Sequence, residues 1–446
     1  MIDIFEQHFK ERGFKEPTAI QTAVYDALAD NKTVLGIAPT GSGKTIAFTL
    51  PILPKVKGQQ GTQVLVLSPS QELAVQTTKV MREWAQLLNL KVMSLTGGAN
   101  MRRQIDKLKT HPEILIGTPG RVLHLLQTKH LKLNTLQTLI IDEADDMLQD
   151  DTLAVIEDIE RATPITTQLG FFSATKTEAL DGLSYMFGRD VVEYDVRNED
   201  HSQGIVRHGQ MQISGKQRGE MLRRFSHIKD FRALVFFNQT KTLTHVASQL
   251  KHDHVSAAVL GGQQRQTERE KALRMFRNRQ LKFLLTTDVA ARGLDIVKLP
   301  AVINFDLPTQ AVTYVHRVGR TGRQGEPGLV INFGDDHDLR DLKKLLADES
   351  YELKPIYFAH NQLVDERPQK EEKQTTGHVE NVQEKAHRVV RKSQLSDEHI
   401  TVGKSVSRTI DVAKDQPTKA KRHKKNRHIK NKGMRLKRRH QAEEEQ

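Results

Sequence analysis

Short apolar runs, none longer than five residues, recur along most of this chain between stretches long enough for helices, and they recur in two sets. The first set covers residues 34–37, 64–67, 92–95, 114–116, 139–141 and 169–172. A run that is apolar throughout, rather than alternating, suits a strand buried on both faces, and such strands with helices between them form a parallel sheet. A polar stretch at 197–204 interrupts the pattern, which then restarts at 233–237, 255–259, 283–286, 302–305 and 329–331. The expected fold class is therefore α/β, with two tandem domains of mostly parallel sheet at 1–203 and 204–365. A length of 446 residues agrees, being too great for one ordinary core.

Beyond about residue 365 the periodicity fails. Residues 369–446 hold 21 Lys and Arg against 11 Asp and Glu, so this segment carries +10 of the net +13 and the first 368 residues only +3. Between Lys419 and His440 there are twelve cations and no acid. The segment 366–446 is expected to be a largely disordered basic tail that contacts a polyanion. No apolar run approaches the roughly 20 residues needed to span a bilayer. The opening Met1-Ile2-Asp3-Ile4-Phe5 has no basic region ahead of an apolar core, so no secretory signal is expected. The absence of cysteine excludes disulfides, thiolate-held zinc and thiol catalysis, and fits a cytoplasmic setting.

Three local patterns carry chemistry. Ala38-Pro39-Thr40-Gly41-Ser42-Gly43-Lys44-Thr45 follows the first apolar run. A strand, a glycine-rich turn and a helix starting near Lys44 would aim backbone N–H groups at phosphate. Lys44 would reach the β/γ-phosphates, and Thr45 would offer its hydroxyl to Mg²⁺. Ala38 stands where the general pattern has glycine. Downstream, Leu139-Ile140-Ile141-Asp142-Glu143-Ala144-Asp145 sets acids at the carboxyl end of a buried strand, a costly place for charge without a cation. Asp142 suits Mg²⁺, and Glu143 suits a base that positions and deprotonates water. About 270 residues after the phosphate loop comes Tyr314-Val315-His316-Arg317-Val318-Gly319-Arg320-Thr321-Gly322-Arg323. Arg320 and Arg323, three apart, are expected on one helical face where both reach one polyphosphate. A site split between two domains follows.

With these patterns in this order, residues 13–335 resemble the DEAD-box ATP-dependent RNA helicases of superfamily 2, in particular short bacterial members with a basic C-terminal tail. The resemblance implies two RecA-like domains, with ATP and Mg²⁺ as cofactors. It implies that Gln21, in Gly13-Phe14-Lys15-Glu16-Pro17-Thr18-Ala19-Ile20-Gln21, pairs with adenine. It further implies that Asp295, in 288–295, touches the nucleotide, and that Arg320 and Arg323 act as fingers. Asp145, Ser173, Thr175 and His316 would couple hydrolysis to strand separation, with His316 pairing across the cleft with the 173–175 segment. RNA contacts are implied at Gly97, Gly98, Thr118, Arg121, Gln266, Arg269 and Thr286, mainly to the sugar-phosphate backbone.

Three departures stand out. Gln71 replaces the arginine of the family's Pro-Thr-Arg-Glu-Leu-Ala, and Gly261-Gly262-Gln263 replaces His-Gly-Asp. The segment before Gly13 is too short for the aromatic usually found well upstream, so adenine is expected to be held less firmly. None of these removes a catalytic group. The implied activity is RNA-stimulated ATP hydrolysis that unwinds or remodels short RNA duplexes, in ribosome assembly or cold adaptation, by a monomer with no membrane contact and protein partners unspecified. Two other readings stay open: an ATP-gated RNA clamp or assembly scaffold with little unwinding, and a DNA translocase of the same superfamily.

Overall fold

Alternate residues of the central strands feed opposite sides of two sheets. In the first sheet Val34, Val66, Ile116 and Ile140 pack into one buried layer, while Leu35, Leu65, Leu115 and Ile141 pack into another. In the second sheet Val235, Phe283, Ile303 and Ile331 face one layer, and Phe236, Leu284, Val302 and Val330 the other. A strand lined by apolar side chains on both faces must be covered twice, which is why helices flank each sheet. The computed structural model describes residues 1–368 except 201–203, 262, 263, 265, 292, 293, 295, 297, 298, 348 and 350. The expected tail from 369 onward, and Arg292, Gly293 and Asp295 of the 288–295 motif, lie outside the described residues.

The first sheet comprises β1 (Thr33–Ile37), β2 (Val64–Leu67), β3 (Val92–Leu95), β4 (Ile114–Gly117), β5 (Thr138–Asp142), β6 (Gln168–Ser173) and β7 (Val191–Asp195). The second comprises β8 (Val206–Gln212), β9 (Ala233–Phe237), β10 (Ala257–Leu260), β11 (Phe283–Thr287), β12 (Ala301–Asn304), β13 (Gly328–Gly334) and β14 (Leu353–Pro355). The orders are β3-β4-β2-β5-β6-β1-β7 and β10-β11-β9-β12-β13-β8-β14, the same topology twice, with parallel pairing throughout. An antiparallel hairpin, β15 (Tyr357–Ala359) and β16 (Gln362–Val364), turns through His360 and Asn361 and seats Phe358 and Leu363 against the second core. These two parallel sheets are RecA-like domains. Among the described residues no helix is long and apolar enough to cross a membrane.

The second sheet begins where the chain meets its own later turn. Gly204 N–H donates to Gly322 O at 2.8 Å, and a Cβ on Gly204 would lie 2.0 Å from Glu326 O. The entry to β8 is thereby fastened to the segment that carries Arg320 and Arg323. Beneath it, His208 of β8 is buried with Nδ1 2.8 Å from the Tyr314 hydroxyl, which also accepts from Asn332 at 3.3 Å.

Burial pushes the His208 imidazole down from 6.5 to about 4. A base with a depressed folded value favours the fold above its unfolded value and loses that contribution as pH falls from 6.5 toward 4. We expect the second domain to lose about 2 kcal/mol between neutral pH and pH 5 from this group. Urea unfolding of the protein and of His208→Gln at both pH values checks it: the stability difference between them should shrink on acidification.

Candidate active site and RNA path between the two sheets

At the carboxyl end of β1 the chain turns through Ala38–Gly43 into the helix Lys44–Ile52. Gly41 and Gly43 have φ of +90° and +89°, a region that side chains rarely adopt. Gly43 is doubly required, because a Cβ there would meet Gln21 Nε2 at 2.4 Å. Gln21 is buried, accepts from Thr18 N–H through Oε1 at 3.2 Å and donates to Gly43 O from Nε2 at 3.4 Å. Lys44 donates from Nζ to Ala38 O at 2.7 Å and to Pro39 O at 3.1 Å, so its ammonium lies against the loop it is expected to serve. Thr45 is half-buried in the same first helical turn, and Ser42 Oγ is buried without a partner.

β5 ends on Asp142, which is buried. Burial first, then the neighbouring Glu143, push its carboxyl up to about 7 against the pull of Lys44. Glu143 sits at φ 53°, ψ 54°, an uncommon conformation for a residue with a side chain, and its Oε2 is buried with no hydrogen-bond partner. Asp145 has no exposure at all; its Oδ2 accepts from Thr175 Oγ1 and, at 3.1 Å, from His316 Nε2 of the second domain. Burial would raise Asp145, but the hydrogen bonds from His316, Thr175 and Ser173 hold it below the usual carboxylate range. The same contact raises His316 despite its burial. Ser173 is fully buried at the end of β6, and its backbone O accepts from Ala38 N–H at 3.1 Å, tying that strand end to the phosphate loop. His316 thus reaches the 173–175 segment through Asp145 rather than by a hydrogen bond of its own.

Metal fit can be judged from donor chemistry. Glu143, Asp145 and His316 place one atom each within 4.8 Å of one another. That trio includes an imidazole and is bonded within itself, whereas Mg²⁺ prefers oxygen donors and retained water. Asp142, a buried carboxylate at the end of β5, is the better match to Mg²⁺ in kind, and the Thr45 hydroxyl on the phosphate-loop helix is a second oxygen donor of that kind.

The arginines are arranged differently from the expectation of one helical face. The helix Ala311–Val318 stops before Arg320, Gly322 turns at φ +71°, and Arg323 opens the 3₁₀ turn Arg323–Gly325. The stop has a steric reason: Gly319 packs on the phosphate loop so tightly that a Cβ would lie 1.8 Å from Thr40 Oγ1, which donates to Gly319 O at 3.2 Å. Arg320 donates from Nε to His316 O at 3.2 Å and from Nη1 to Leu294 O at 3.0 Å. Arg323 donates from Nε to Gly319 O at 2.8 Å, and its stem is in van der Waals reach of Gly41. Arg323 thus reaches the phosphate loop through a turn rather than a helix face, while Arg320 stays bonded to His316 O and Leu294 O of its own domain.

Sequence reasoning missed Arg317. It is 1% exposed, and all five of its N–H donors are used, two on Asp288 at 2.6 and 2.7 Å and the others on Asn304, Asn238 and the Asp306 carbonyl. A buried guanidinium that is fully partnered is a strut, and this one fixes the helix that presents His316. Only its place inside the arginine-rich motif could have signalled it.

The expected RNA contacts divide. Thr118 stands at the N-cap position of the helix Pro119–Gln127 without a side-chain capping bond, and Arg121 in its first turn donates from Nη1 to Gln104 Oε1 at 2.9 Å. The Gln71 carboxamide lies over Gly97 and Gly98, where added Cβ atoms would stand 3.2 and 3.3 Å from it. Arg269 is not available to RNA as expected: it is buried, ion-paired with Glu72 of the first domain and bonded to Ala290 O. Thr286 is also wholly buried, its hydroxyl donating to Thr287 O at 3.2 Å; the half-exposed residue at the end of β11 is Thr287. Strand alternation could have shown that. The side chain of Gln266, and Gly262 and Gln263, lie outside the described residues.

Residues 18–183 match the DEAD/DEAH box helicase family, and residues 206–325 match the helicase conserved C-terminal domain. The chain is 34% identical over 359 residues to the Bacillus subtilis protein named "Probable ATP-dependent RNA helicase YfmL", covering 80% of this chain and 95% of that one. The DEAD-box ATP-dependent RNA helicase CshC of Bacillus cereus is also 34% identical, over 77% of this chain and 88% of its own. The chain belongs to the DEAD-box family of ATP-dependent RNA helicases. The structure of S. cerevisiae Dbp5 bound to RNA and ADP BeF3 aligns with this DEAD-box chain at TM-score 0.70 and 28% identity, over 80% of this chain and 94% of that one.

In this DEAD-box protein Glu72 and Arg269 join the two domains by an ion pair that is mostly buried. Reversing either charge alone should weaken the coupling between RNA and ATP roughly 5- to 100-fold. Glu72→Arg combined with Arg269→Glu should recover most of it. The readout is the RNA concentration that half-saturates ATP hydrolysis.

Proposed function

We propose that this protein hydrolyses ATP at the junction of its two domains when RNA is bound, and that the closure this requires locally separates or remodels short RNA duplexes. The observation that carries the reading is the meeting of two half-sites. Glu143 keeps a buried carboxylate oxygen without a hydrogen-bond partner beside Asp145 and His316, while Arg323 of the other domain sits against the phosphate loop and Arg320 is anchored on the His316 carbonyl. An unpartnered buried carboxylate oxygen costs free energy unless a ligand proton or water uses it.

Gln21 would read the adenine edge, having one amide to donate and accept. The backbone of 38–43 would cradle the phosphates, with Lys44 exchanging its loop carbonyls for phosphate oxygens. Asp142 and Thr45 would hold Mg²⁺, which when bound neutralises charge on the phosphates. Glu143 would orient the attacking water and take its proton. Arg320 and Arg323 would balance the charge that develops on the transferred phosphoryl group. Because RNA and ATP each favour the closed arrangement, each should tighten the other. A strand path over two domains that is bent away from A-form geometry would exclude duplex, so nearby pairs open. Asp145 and His316, bridging the domains, would transmit the nucleotide state to that path.

The basic segment 366–446 would hold structured RNA near the clamp, raising its effective concentration without altering the chemistry. That suits work on ribosomal or cold-stabilised RNA in the cytoplasm.

The test is ATP hydrolysis with and without a structured RNA. RNA should stimulate strongly; Glu143→Gln should lower kcat on the order of a hundredfold or more. Truncation after Pro368 should retain kcat and raise the RNA concentration required. An RNA-independent rate, or one indifferent to Glu143, would sink the reading. Turnover without strand release from a short duplex would instead favour the ATP-gated clamp.

A further inference from the structure

Away from the nucleotide, the first domain has a groove of about 540 Å³ between the edge strand β3, the helix Gln71–Gln86 and the helix Met101–Leu108. Its walls carry Arg82, Lys91, Arg103 and Lys107, all exposed, and no carboxylate lines it. None of the four cations is ion-paired with a carboxylate among the described residues. The groove is not an open sheet edge awaiting a strand, since Arg82 Nη2 already donates to Val92 O at 3.2 Å. Lys91 Nζ likewise leans on Thr110 O at 3.2 Å. Four unneutralised cations around one concavity make a field that favours an anion with regularly spaced charges.

The groove adjoins the expected RNA path through shared side chains. Gln104, buried on its wall, accepts from Arg121 at 2.9 Å and donates to Thr96 O at 3.1 Å. Ala99, also on the wall, follows Gly97 and Gly98 directly and its carbonyl lies 3.5 Å from Arg121 Nη1. A strand leaving Gly97-Gly98 and Arg121 therefore meets the mouth of this groove next.

We propose that the groove binds the sugar-phosphate backbone of RNA flanking the segment held between the domains, lengthening the footprint along the first domain without reading bases. The assignment rests on the reading that RNA passes Gly97, Gly98 and Arg121. Phosphate contacts of this kind add affinity that is independent of sequence and steep in salt. They also favour substrates with RNA on one side of the clamped segment.

The experiment measures binding of the full chain and of Arg103→Ala/Lys107→Ala to uridine oligonucleotides of about 6 and about 20 nucleotides, across a salt series. The cap of the second helix survives the change, because Arg103 is held there by its backbone N–H on Asn100 Oδ1. The variant should bind the longer RNA on the order of tenfold more weakly, with a salt slope smaller by about 1.4, and the short RNA unchanged. An unchanged affinity and slope on the longer RNA overturns the proposal and leaves the groove to an acidic protein segment. Equal losses on both lengths also overturn it, because the cations would then belong to the clamped segment. If the unaltered protein fails to bind the short RNA, the path itself falls and the groove with it.

Discussion

A carboxylate with no exposure to solvent joins the two halves of this molecule. Asp145 rises from the turn after β5, and its Oδ2 takes one hydrogen bond from Thr175 of the same domain and one from His316 of the other. Burying an ion without donors is costly, so a charged Asp145 requires both partners together. The imidazole gains from the same contact and is held toward its cationic form. The pair therefore makes domain proximity a condition for satisfying a buried charge. It does so one residue beyond Ala144, and two beyond Glu143, whose Oε2 is buried without a hydrogen-bond partner.

Other contacts make sure that His316 arrives with the arginines correctly disposed. Arg317, next to it, is fixed by five donors to Asp288, Asn304, Asn238 and Asp306, so the helix cannot roll without abandoning a buried guanidinium. After the helix, Gly319 meets Thr40 and Gly322 meets the start of β8, both at separations that a methyl group would violate. Small residues here let backbones approach, and that approach brings Arg323 over Gly41. Because both sheets share one strand order, each half offers its carboxyl-end loops to the same junction.

The central strands were legible because burial on both faces leaves unbroken apolar runs, and the phosphate loop and acids were legible because their chemistry constrains residue type and spacing. The edges were not. β7 carries Glu193 and Asp195 on a half-exposed strand, and β14 is three residues ending in proline, so neither shows an apolar run. β8 was missed too, since it places His208 and Gln210 in a polar network inside the second domain. Contacts across the domains were equally hidden. That Arg269 is spent on Glu72, or that His316 meets Asp145 first, depends on how the two cores dock, and no local pattern encodes docking. The helix expected through Arg320 and Arg323 failed for a related reason: three-residue spacing implies a shared face only if the helix continues, and packing of Gly319 on Thr40 ends it.

Gln71 shows what a single departure changes. Its carboxamide stands where side chains on Gly97 and Gly98 would crowd it, and it contributes no charge. A neutral amide can still donate one hydrogen bond to a phosphate and accept another from a ribose hydroxyl, so geometry is kept while long-range attraction is lost. The neighbouring Glu72 then faces Arg269 without a cation from residue 71 beside it, which leaves its charge undivided for the domain-bridging pair. An amide at position 71 thus adds no charge beside the Glu72–Arg269 pair that joins the domains.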